Sequence, residues 1–454
     1  MSLSSNVTER ISKIVRVVPR NRNTELFLLL FAIGINAFEV LQVQLATMNT
    51  VTGDFWFYWG ALAGAAMLLH LVLRIRARDA DPLILPIAVA LNGVGIAEIY
   101  RLDIAAIANH QTELFAEKQV IWTLVAIVLT GAVIMYIPSH LVLRRYVFLA
   151  GAAGLALLLA PMLPFIGKTI NGASLWLSIG GLTFQPGELA KIALSIFFAG
   201  YLVQRKDSLA MTGRSFLGIQ IPKARELGPI LAIWVVSLLV LVVQRDLGTS
   251  LLFFGLFLVM IYTATGRAIY TVVGLGMFLT GALVASQAIS YVSKRFDAWL
   301  NPFDDAHYNA VGGSYQLVQG LFGFAHGGLI GTGLGSGVPQ LVPLAESDFI
   351  IASLGEELGL AGIFVIFTLY ILLVARGLRI GFNHNDDFSK LLATGLSFVI
   401  ALQVFIVIGG VTRLVPLTGL TTPLLAAGGS SLIANWIIIG LLLRISDTNR
   451  REVE

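Results

Sequence analysis

Residues 348–375 read DFIIASLGEELGLAGIFVIFTLYILLVA, in which three acidic side chains precede a long uncharged run. A helix needs about 20 predominantly apolar residues to cross a bilayer core about 30 Å thick. This stretch therefore predicts a membrane-spanning helix whose opening turns carry Asp348, Glu356 and Glu357.

Eleven further segments qualify or nearly qualify as spans, so we expect an all-α integral membrane protein, a polytopic bundle of about 12 transmembrane helices. The composition agrees, because 57% of the residues are hydrophobic and only 12% are charged, whereas soluble domains carry about 25% charged residues. Cysteine is absent, which excludes a disulfide scaffold, a thiolate metal site and a thiol nucleophile. The predicted spans lie near 26–47, 55–74, 82–100, 119–138, 143–163, 184–204, 227–244, 248–265, 269–290, 348–375, 391–411 and 421–443.

The positive charges are unevenly distributed between the two sides of this predicted bundle. Most Lys and Arg residues fall in the N-terminal segment and in alternate connections, and such residues collect on the cytoplasmic side. We therefore expect a multi-pass protein of the cytoplasmic membrane with both termini cytoplasmic. These cations indicate topology and contact with anionic membrane lipids, not nucleic-acid binding. The first 25 residues are too polar and basic for a signal peptide, so the first span is expected to remain as an anchor.

The connections differ in length, and the longest lies on the predicted outer face at 291–347. A loop of this length in a compact membrane protein is usually functional or disordered. Its many aromatic and glycine residues favour an ordered, folded-back extracellular loop.

Ionisable side chains at membrane depth are costly, so each one is a functional candidate. Glu188 and Lys191 lie three residues apart near the start of the sixth span and share a helix face. They either pair with each other, or Lys191 points into a cavity to meet an anion. Asp246 follows Arg245 between two apolar runs at the outer membrane boundary. It either forms a surface ion pair with Arg245, caps the next helix or belongs to a functional site.

Asp348 is expected at the water boundary, where a carboxylate can stay ionised and act as a general base. The alternative role for Asp348 is capping of the tenth helix. Glu356 and Glu357 would lie about 12–14 Å further along that helix, inside the apolar layer. There they need partners or must be protonated, because an unpaired buried charge neutralises.

Other chemistries find little support. The six histidines are scattered without metal-ligand spacing. No phosphate-binding Gly-Lys-Ser/Thr loop occurs, so nucleotide binding is a poor fit. The small residues at 416–423 and 428–431 either permit close helix packing or expose backbone to a ligand.

These regions, in this order, resemble the SEDS family of shape, elongation, division and sporulation proteins, whose members include RodA and FtsW. The resemblance covers roughly 82–445 and implies a core of ten helices, preceded here by two more, as in actinobacterial members. Leu175 stands where many members have arginine, and the stretch from Gly409 to Pro416 is more similar to RodA than to FtsW. The matching segments are 171–176, 185–188, 244–249, 295–302, 347–359, 416–419 and 428–431.

The resulting organisation is a basic cytoplasmic N-terminus at 1–25, two extra helices within 26–81, a core at 82–445 and a cytoplasmic C-terminus at 446–454. The resemblance implies a peptidoglycan glycosyltransferase that polymerises lipid II at the outer face of the cytoplasmic membrane, for cell elongation and shape. By the family pattern, Asp348 is the catalytic carboxylate. The supporting or substrate-binding residues would be Trp176, Glu188, Lys191, Asp246, Arg295, Glu356 and Glu357.

The leaving group of such a reaction is a lipid diphosphate, whose charge requires cations. Lys191, Arg295 or a divalent ion such as Mg²⁺ or Mn²⁺ could supply them. The family also implies a class B penicillin-binding transpeptidase as partner. Two other functions remain open for the same spans: a flippase that carries lipid II across the bilayer, and a non-catalytic scaffold for the penicillin-binding protein.

Overall fold

The computed structural model describes residues 21–170, 173–180, 182–210, 215–216, 219–220, 235, 244–310 and 312–453. Nearly all of the regular structure is helical. The α-helices are α1 (Asn21–Met48), α2 (Asp54–Arg76), α3 (Ile84–Ala108), α4 (Ala116–Tyr136), α5 (Val147–Leu159), α6 (Gly187–Ala210), α7 (Leu247–Thr265), α8 (Ala268–Ala288), α9 (Ser290–Leu300), α10 (Asp305–Tyr308), α11 (Tyr315–Gly327), α12 (Ile350–Phe382), α13 (Asp387–Val411) and α14 (Gly429–Val453).

Short elements complete the fold. Three 3₁₀ turns cover His140–Tyr146, Ala160–Met162 and Pro339–Leu341. The strands are β1 (Gly167–Ile170), β2 (Ala173–Ile179), β3 (Leu182–Phe184), β4 (Ser215–Phe216) and β5 (Ile219–Gln220).

Eleven helices in the described parts of the chain are long and apolar enough to cross a membrane. The predicted all-α, multi-pass class is therefore confirmed. The predicted span at 227–244 lies almost wholly outside the described residues. The last helix begins at Gly429, later than the predicted 421, because Gly419 and Leu424 adopt positive φ angles and Pro423 lacks an amide hydrogen.

Helix α3 lies at the centre of the bundle, and its membrane-spanning window is fully buried. It packs against α1 and α12, while α6, α7 and α13 pack against one another and α14 packs against α4. Helix α8, by contrast, contains no buried residue. The core therefore forms around α3, α13 and α14, with α8 at the periphery.

Helix α12 is broken at Gly359, whose φ of 67° and ψ of −174° are not helical. The amides of Leu360 and Ala361 open the second part of α12 and donate to the carbonyls of Gly328 and Leu329, each at 3.0 Å. A Cβ atom on Gly359 would lie 2.2 Å from a backbone nitrogen of the crossing chain. Only glycine satisfies both the left-handed backbone and this close approach.

The first part of α12, residues 350–358, is therefore a separate short segment. Its terminal carbonyls at Glu356 and Glu357 accept from the amides of Thr332 and Gly333, at 3.1 and 2.9 Å. The sequence predicted one continuous helix with both carboxylates in the apolar layer. This prediction was wrong, because the helix is broken at Gly359 and both side chains contact the folded loop 332–338 instead of hydrocarbon.

The connection between α5 and α6 also differs from expectation, since the sequence indicated only an outer loop there. Strands β1, β2 and β3 form a three-stranded antiparallel sheet in that order. Trp176 in β2 lies opposite Lys168 in β1. The amide of Ser174 donates to the carbonyl of Gln244 at 3.3 Å, which joins this sheet to the start of α7.

The opposite end of the bundle is held by the arginines of α12 and α14. The Arg444 guanidinium donates to the carbonyls of Arg76 at 2.7 Å and Ile137 at 2.8 Å. Arg376 donates to Asp81 from Nε at 2.9 Å. These bonds fix the connection between α2 and α3 onto α12 and α14.

Candidate functional site

Asp348 lies in the loop between the Pro339–Leu341 turn and α12, at the end of the bundle that carries the β1–β3 sheet. Its amide donates to Ser347 Oγ at 2.7 Å, and the same hydroxyl lies 3.3 Å from Asp348 Oδ1. Helix α12 begins at Ile350, and Phe349 is its N-cap residue. Asp348 therefore precedes the N-cap residue, and its side chain does not cap α12.

The Asp348 side chain is only 7% exposed. This burial raises the pKa of Asp348 to about 6, although the hydrogen bonds at Ser347 and the charge of Arg295 partly oppose the rise. Glu346 lies close enough to raise the same pKa. A carboxyl with a pKa in this range can both accept and release a proton near neutral pH, which is what a general base requires.

Arg295 is carried by α9, the amphipathic helix that follows α8 after a single residue. Its Nη1 donates to the carbonyl of Leu417 at 2.5 Å, and its guanidinium lies 4.8 Å from the ring centroid of Tyr291. The charge of Arg295 lowers the pKa values of both Asp246 and Asp348. This predicted site residue therefore acts electrostatically on two carboxyl groups that are distant in sequence.

Asp246 caps α7, because its Oδ1 accepts from the Thr249 amide at 2.9 Å. The predicted capping role is confirmed. Burial raises the pKa of Asp246, and the nearby Glu188 acts in the same direction. A small cleft beside it is lined by Leu175, Gln185 and Gln244, among other residues.

Glu188 and Lys191 form the predicted pair, with 2.6 Å between Nζ and Oε2. The Lys191 ammonium also donates to Gln403 Oε1 at 2.9 Å and Asn435 Oδ1 at 3.3 Å. Lys191 is only 1% exposed, so its charge is compensated within the protein. Gln403 and Asn435 did not emerge from the sequence, since a single amide in an apolar helix gives no signal of its partner.

The loop between α13 and α14 passes through the middle of this region. Gln403 Nε2 donates to the carbonyl of Thr421 at 2.9 Å, and the Ala427 amide donates to the carbonyl of Glu346 at 2.8 Å. A Cβ atom on Gly429 would lie 2.6 Å from the Trp122 ring, so the predicted close packing of small residues is confirmed here. The loop thereby links Lys191, through Gln403, to the segment that holds Asp348.

Trp176 is half-buried in β2, near the same end of the bundle. The bond between Ser174 and Gln244 brings its strand to the start of α7, two residues before Asp246. A half-buried indole presents an apolar face on which a sugar ring can stack.

Glu356 and Glu357 form a second cluster on the far side of the segment 350–358. Glu357 Oε1 accepts from Arg101 Nε at 2.9 Å, and its Oε2 accepts from the Gly335 amide at 2.8 Å. Glu356 Oε1 accepts from the Val338 amide at 2.8 Å and lies 2.9 Å from His326 Nδ1. The expectation that both carboxylates need partners is confirmed.

Two residues of this second cluster were missed. Arg101 did not emerge from the sequence as a site candidate, although it is buried and donates to Glu357. Glu98, one turn earlier on α3, is fully buried and accepts from Ser353 Oγ at 2.6 Å. Its position within a predicted span was a signal that would have found it.

Across the part of the chain that the structure describes, no group of three or more His, Asp or Glu side chains is placed to hold a metal ion. The positive charge of Arg295 acts on Asp348 and lowers its pKa.

The amino-acid sequence is similar to a known family along most of its length. A family named after FtsW, RodA and SpoVE, described as cell cycle proteins, matches residues 82–451. Peptidoglycan glycosyltransferase RodA of Mycobacterium tuberculosis is 44% identical over 451 residues, which cover 98% of this chain and 95% of that protein. A probable peptidoglycan glycosyltransferase FtsW of Geobacter sp. (strain M18) is 32% identical over 380 residues, 83% of this chain and 99% of that protein.

A solved structure shares the fold. It is described as "Structural coordination of polymerization and crosslinking by a peptidoglycan synthase complex", and its matching chain is 24% identical with a TM-score of 0.56. The match covers 86% of this chain and 97% of that one.

Proposed function

The chain belongs to the FtsW, RodA and SpoVE family of cell cycle proteins, and we propose that it is a peptidoglycan glycosyltransferase that polymerises lipid II. The observation that carries the proposal is Asp348, a buried carboxyl with a pKa near 6 beside the charge of Arg295. The identity of 44% to a RodA along nearly the whole chain supports the same activity.

In this reaction Asp348 accepts the proton of the acceptor sugar 4-hydroxyl while that oxygen bonds to the anomeric carbon of the donor. The bond from the anomeric carbon to the diphosphate breaks, and its electron pair leaves with the polyprenyl diphosphate. Arg295 stabilises the negative charge that develops on this leaving group. Because the donor is already a diphosphate ester, no nucleotide is needed.

The orientation in the membrane follows from the charge distribution. The Asp348 end carries few Lys and Arg residues, which supports an outer location, and both termini would lie in the cytoplasm. In this orientation Asp348 is level with the head group of a lipid-anchored substrate.

The remaining candidate residues have supporting roles in the proposal. Trp176 stacks on a sugar, while Glu188 and Lys191 hold α6 against α13 and α14. Asp246 fixes the start of α7 next to Arg295. Glu356 and Glu357 hold the outer loop, which keeps the segment after Asp348 in place.

The higher identity and coverage of the mycobacterial RodA support a role in elongation and cell shape over one in division. A class B penicillin-binding transpeptidase would then be the partner that crosslinks the nascent strands. The complex named for polymerization and crosslinking, whose chain shares this fold, supports such a pairing.

A lipid II flippase is the alternative for the same spans. Such a protein needs a polar path through the bilayer, whereas Asp246, Arg295 and Asp348 gather at one end of the bundle. Fluorescent lipid II and the purified protein with its cognate transpeptidase test the two functions. We expect glycan ladders on a gel, and the proposal fails if no ladder forms while the same protein moves lipid II across vesicle membranes.

A further inference from the structure

Helix α1 lies outside the part of the chain that matches the family, which begins at residue 82. It nevertheless packs closely on α3 within the family core. Asn36 Nδ2 donates to the carbonyl of Val89 at 3.1 Å, and a Cβ atom on Gly93 would lie 2.0 Å from the Asn36 side chain. The missing side chain at Gly93 therefore leaves the space in α3 that Asn36 of α1 occupies.

The last turns of α1 reach the Asp348 end of the bundle. Gln44 is fully buried, and its Nε2 donates to the hydroxyl of Tyr100 at 3.1 Å. Tyr100 precedes Arg101, the residue that pairs with Glu357. The ring of Tyr58 in α2 packs against that of Tyr100, with a centroid distance of 4.1 Å and an interplanar angle of 32°, so both additional helices contact this turn of α3.

One further contact joins α1 directly to the outer loop. A Cβ atom on Gly335 would lie 2.8 Å from Ala46 Cβ, 3.3 Å from Thr47 Cγ2 and 3.4 Å from the Val43 carbonyl oxygen. Gly335 has a φ of +82° and donates its amide to Glu357. The loop at this point is therefore held between α1 on one side and a carboxylate of α12 on the other.

We propose that α1 is a positioning element for the Asp348 site. Its last turn presses the loop 335–338 onto Glu356 and Glu357, and these carboxylates fix the short segment 350–358, which begins two residues after Asp348. The family core supplies the carboxylates and the loop, while α1 supplies the opposing surface. This inference rests on the proposed glycosyltransferase function for its catalytic readout.

The substitution Ala46→Phe tests the contact from the α1 side. We expect kcat for lipid II polymerisation to fall by about tenfold to a hundredfold, since small displacements of reacting groups are costly. KM should change little, because the substrate-binding groups remain. Leu45→Phe is the matched control: Leu45 is adjacent and, like Ala46, exposed, but the atoms nearest to Gly335 belong to Ala46, Thr47 and Val43. This variant should retain wild-type kcat.

Hydrogen exchange of the protein in lipid nanodiscs gives a readout that does not depend on activity. Peptides covering 331–338 should exchange faster in Ala46→Phe, because the amides of Gly335, Gly337 and Val338 lose their fixed partners. In Leu45→Phe the exchange rate of the same peptides should equal that of wild type. Wild-type kcat, or unchanged exchange in 331–338, overturns the positioning role. If wild-type protein forms no polymer, the proposed function fails, and the exchange data alone then decide whether α1 holds the loop.

A second set of variants covers the case in which Ala46→Phe does not fold. Gly335→Ala places a Cβ against Ala46, so it should lower kcat, and adding Ala46→Gly should restore part of the loss. Gly335→Ala with Ala37→Gly carries the same helix-weakening change away from the contact and should show no restoration. Equal kcat in the two double variants contradicts the proposal.

Discussion

Arg101 of α3 and Glu357 of α12 form a buried ion pair, with 2.9 Å between Nε and Oε1. The Arg101 Nη2 also donates to the carbonyl of Gly337 at 2.6 Å. The Arg101 guanidinium therefore joins three elements: the central helix α3, the loop 332–338 and the segment 350–358 that follows Asp348. A displacement of any one of these three elements would be transmitted to the other two.

Removing Arg101 should destabilise the protein strongly. Arg101→Ala leaves the Glu357 carboxylate buried without its cation, and breaking such a pair costs about 3–5 kcal/mol. Thermal unfolding in detergent, followed by size-exclusion chromatography, measures the effect. Arg413→Ala is a suitable comparison because the exposed Arg413 guanidinium donates to backbone carbonyls, those of Trp299 and Leu300, and not to a buried carboxylate. Equal Tm shifts for the two variants would show that the buried ion pair contributes no more to stability than the surface hydrogen bonds of Arg413.

The Glu188–Lys191 pair should respond asymmetrically to substitution. Lys191→Met leaves Glu188 buried and unpaired, at a cost of about 3–5 kcal/mol. Glu188→Gln should cost only about 1–2 kcal/mol, because Lys191 keeps Gln403 and Asn435 as acceptors. Comparing the Tm of the two variants checks this order, and a larger loss for Glu188→Gln would contradict the assignment.

Arg295 should matter for turnover more than for stability. Arg295→Ala removes the charge that the proposed mechanism assigns to the leaving group, and kcat is expected to fall by about a hundredfold to a thousandfold. Arg295→Lys should retain part of the rate, since it keeps the charge but loses the forked geometry. Lys294→Ala, which removes the adjacent exposed cation, is the control and should be fully active. A decrease in kcat of similar size in Lys294→Ala would contradict a specific role for Arg295, because it would show that the total surface charge determines the rate.

Asp348 should reduce the stability of the fold at neutral pH. Its pKa rises from 3.8 to about 6 on folding, so the folded protein binds the proton more tightly than the unfolded chain. The stability contributed by this group is present below pH 4 and is lost as the pH rises through 6. Asp348→Asn should therefore raise the free energy of unfolding at pH 7.5 by about 1–3 kcal/mol. This advantage should disappear near pH 4, and a lower Tm for the variant at pH 7.5 would refute the burial argument.

The sequence predicted the parts of this site that depend on local spacing. Glu188 and Lys191 pair because three residues separate them on one helix face, and Asp246 caps α7 because it precedes an apolar run. The approximate position of Asp348 followed from the length of the span after it. Its role came from the family resemblance and not from spacing.

Contacts between distant parts of the chain were not predictable from local patterns. Arg101 of α3 meets Glu357 through the packing of two helices that are distant in sequence. The break at Gly359 was not predicted either, because a glycine inside an apolar run does not reveal a break by itself. The amides of Gln403 and Asn435 reach Lys191 through the packing of three helices. The β1–β3 sheet was missed because its short strands lie in a segment that the hydropathy pattern marks only as a loop.

The pH dependence of lipid II polymerisation, measured for wild type and Asp348→Asn, tests the central claim most directly. If Asp348 is the general base, the wild-type rate should be constant above pH 7 and fall about tenfold for each pH unit below 6, because the protonated carboxyl cannot accept the hydroxyl proton. Folded Asp348→Asn should form no polymer at any pH. A polymerising Asp348→Asn variant, or a wild-type rate that does not change between pH 5 and 7.5, would contradict the account.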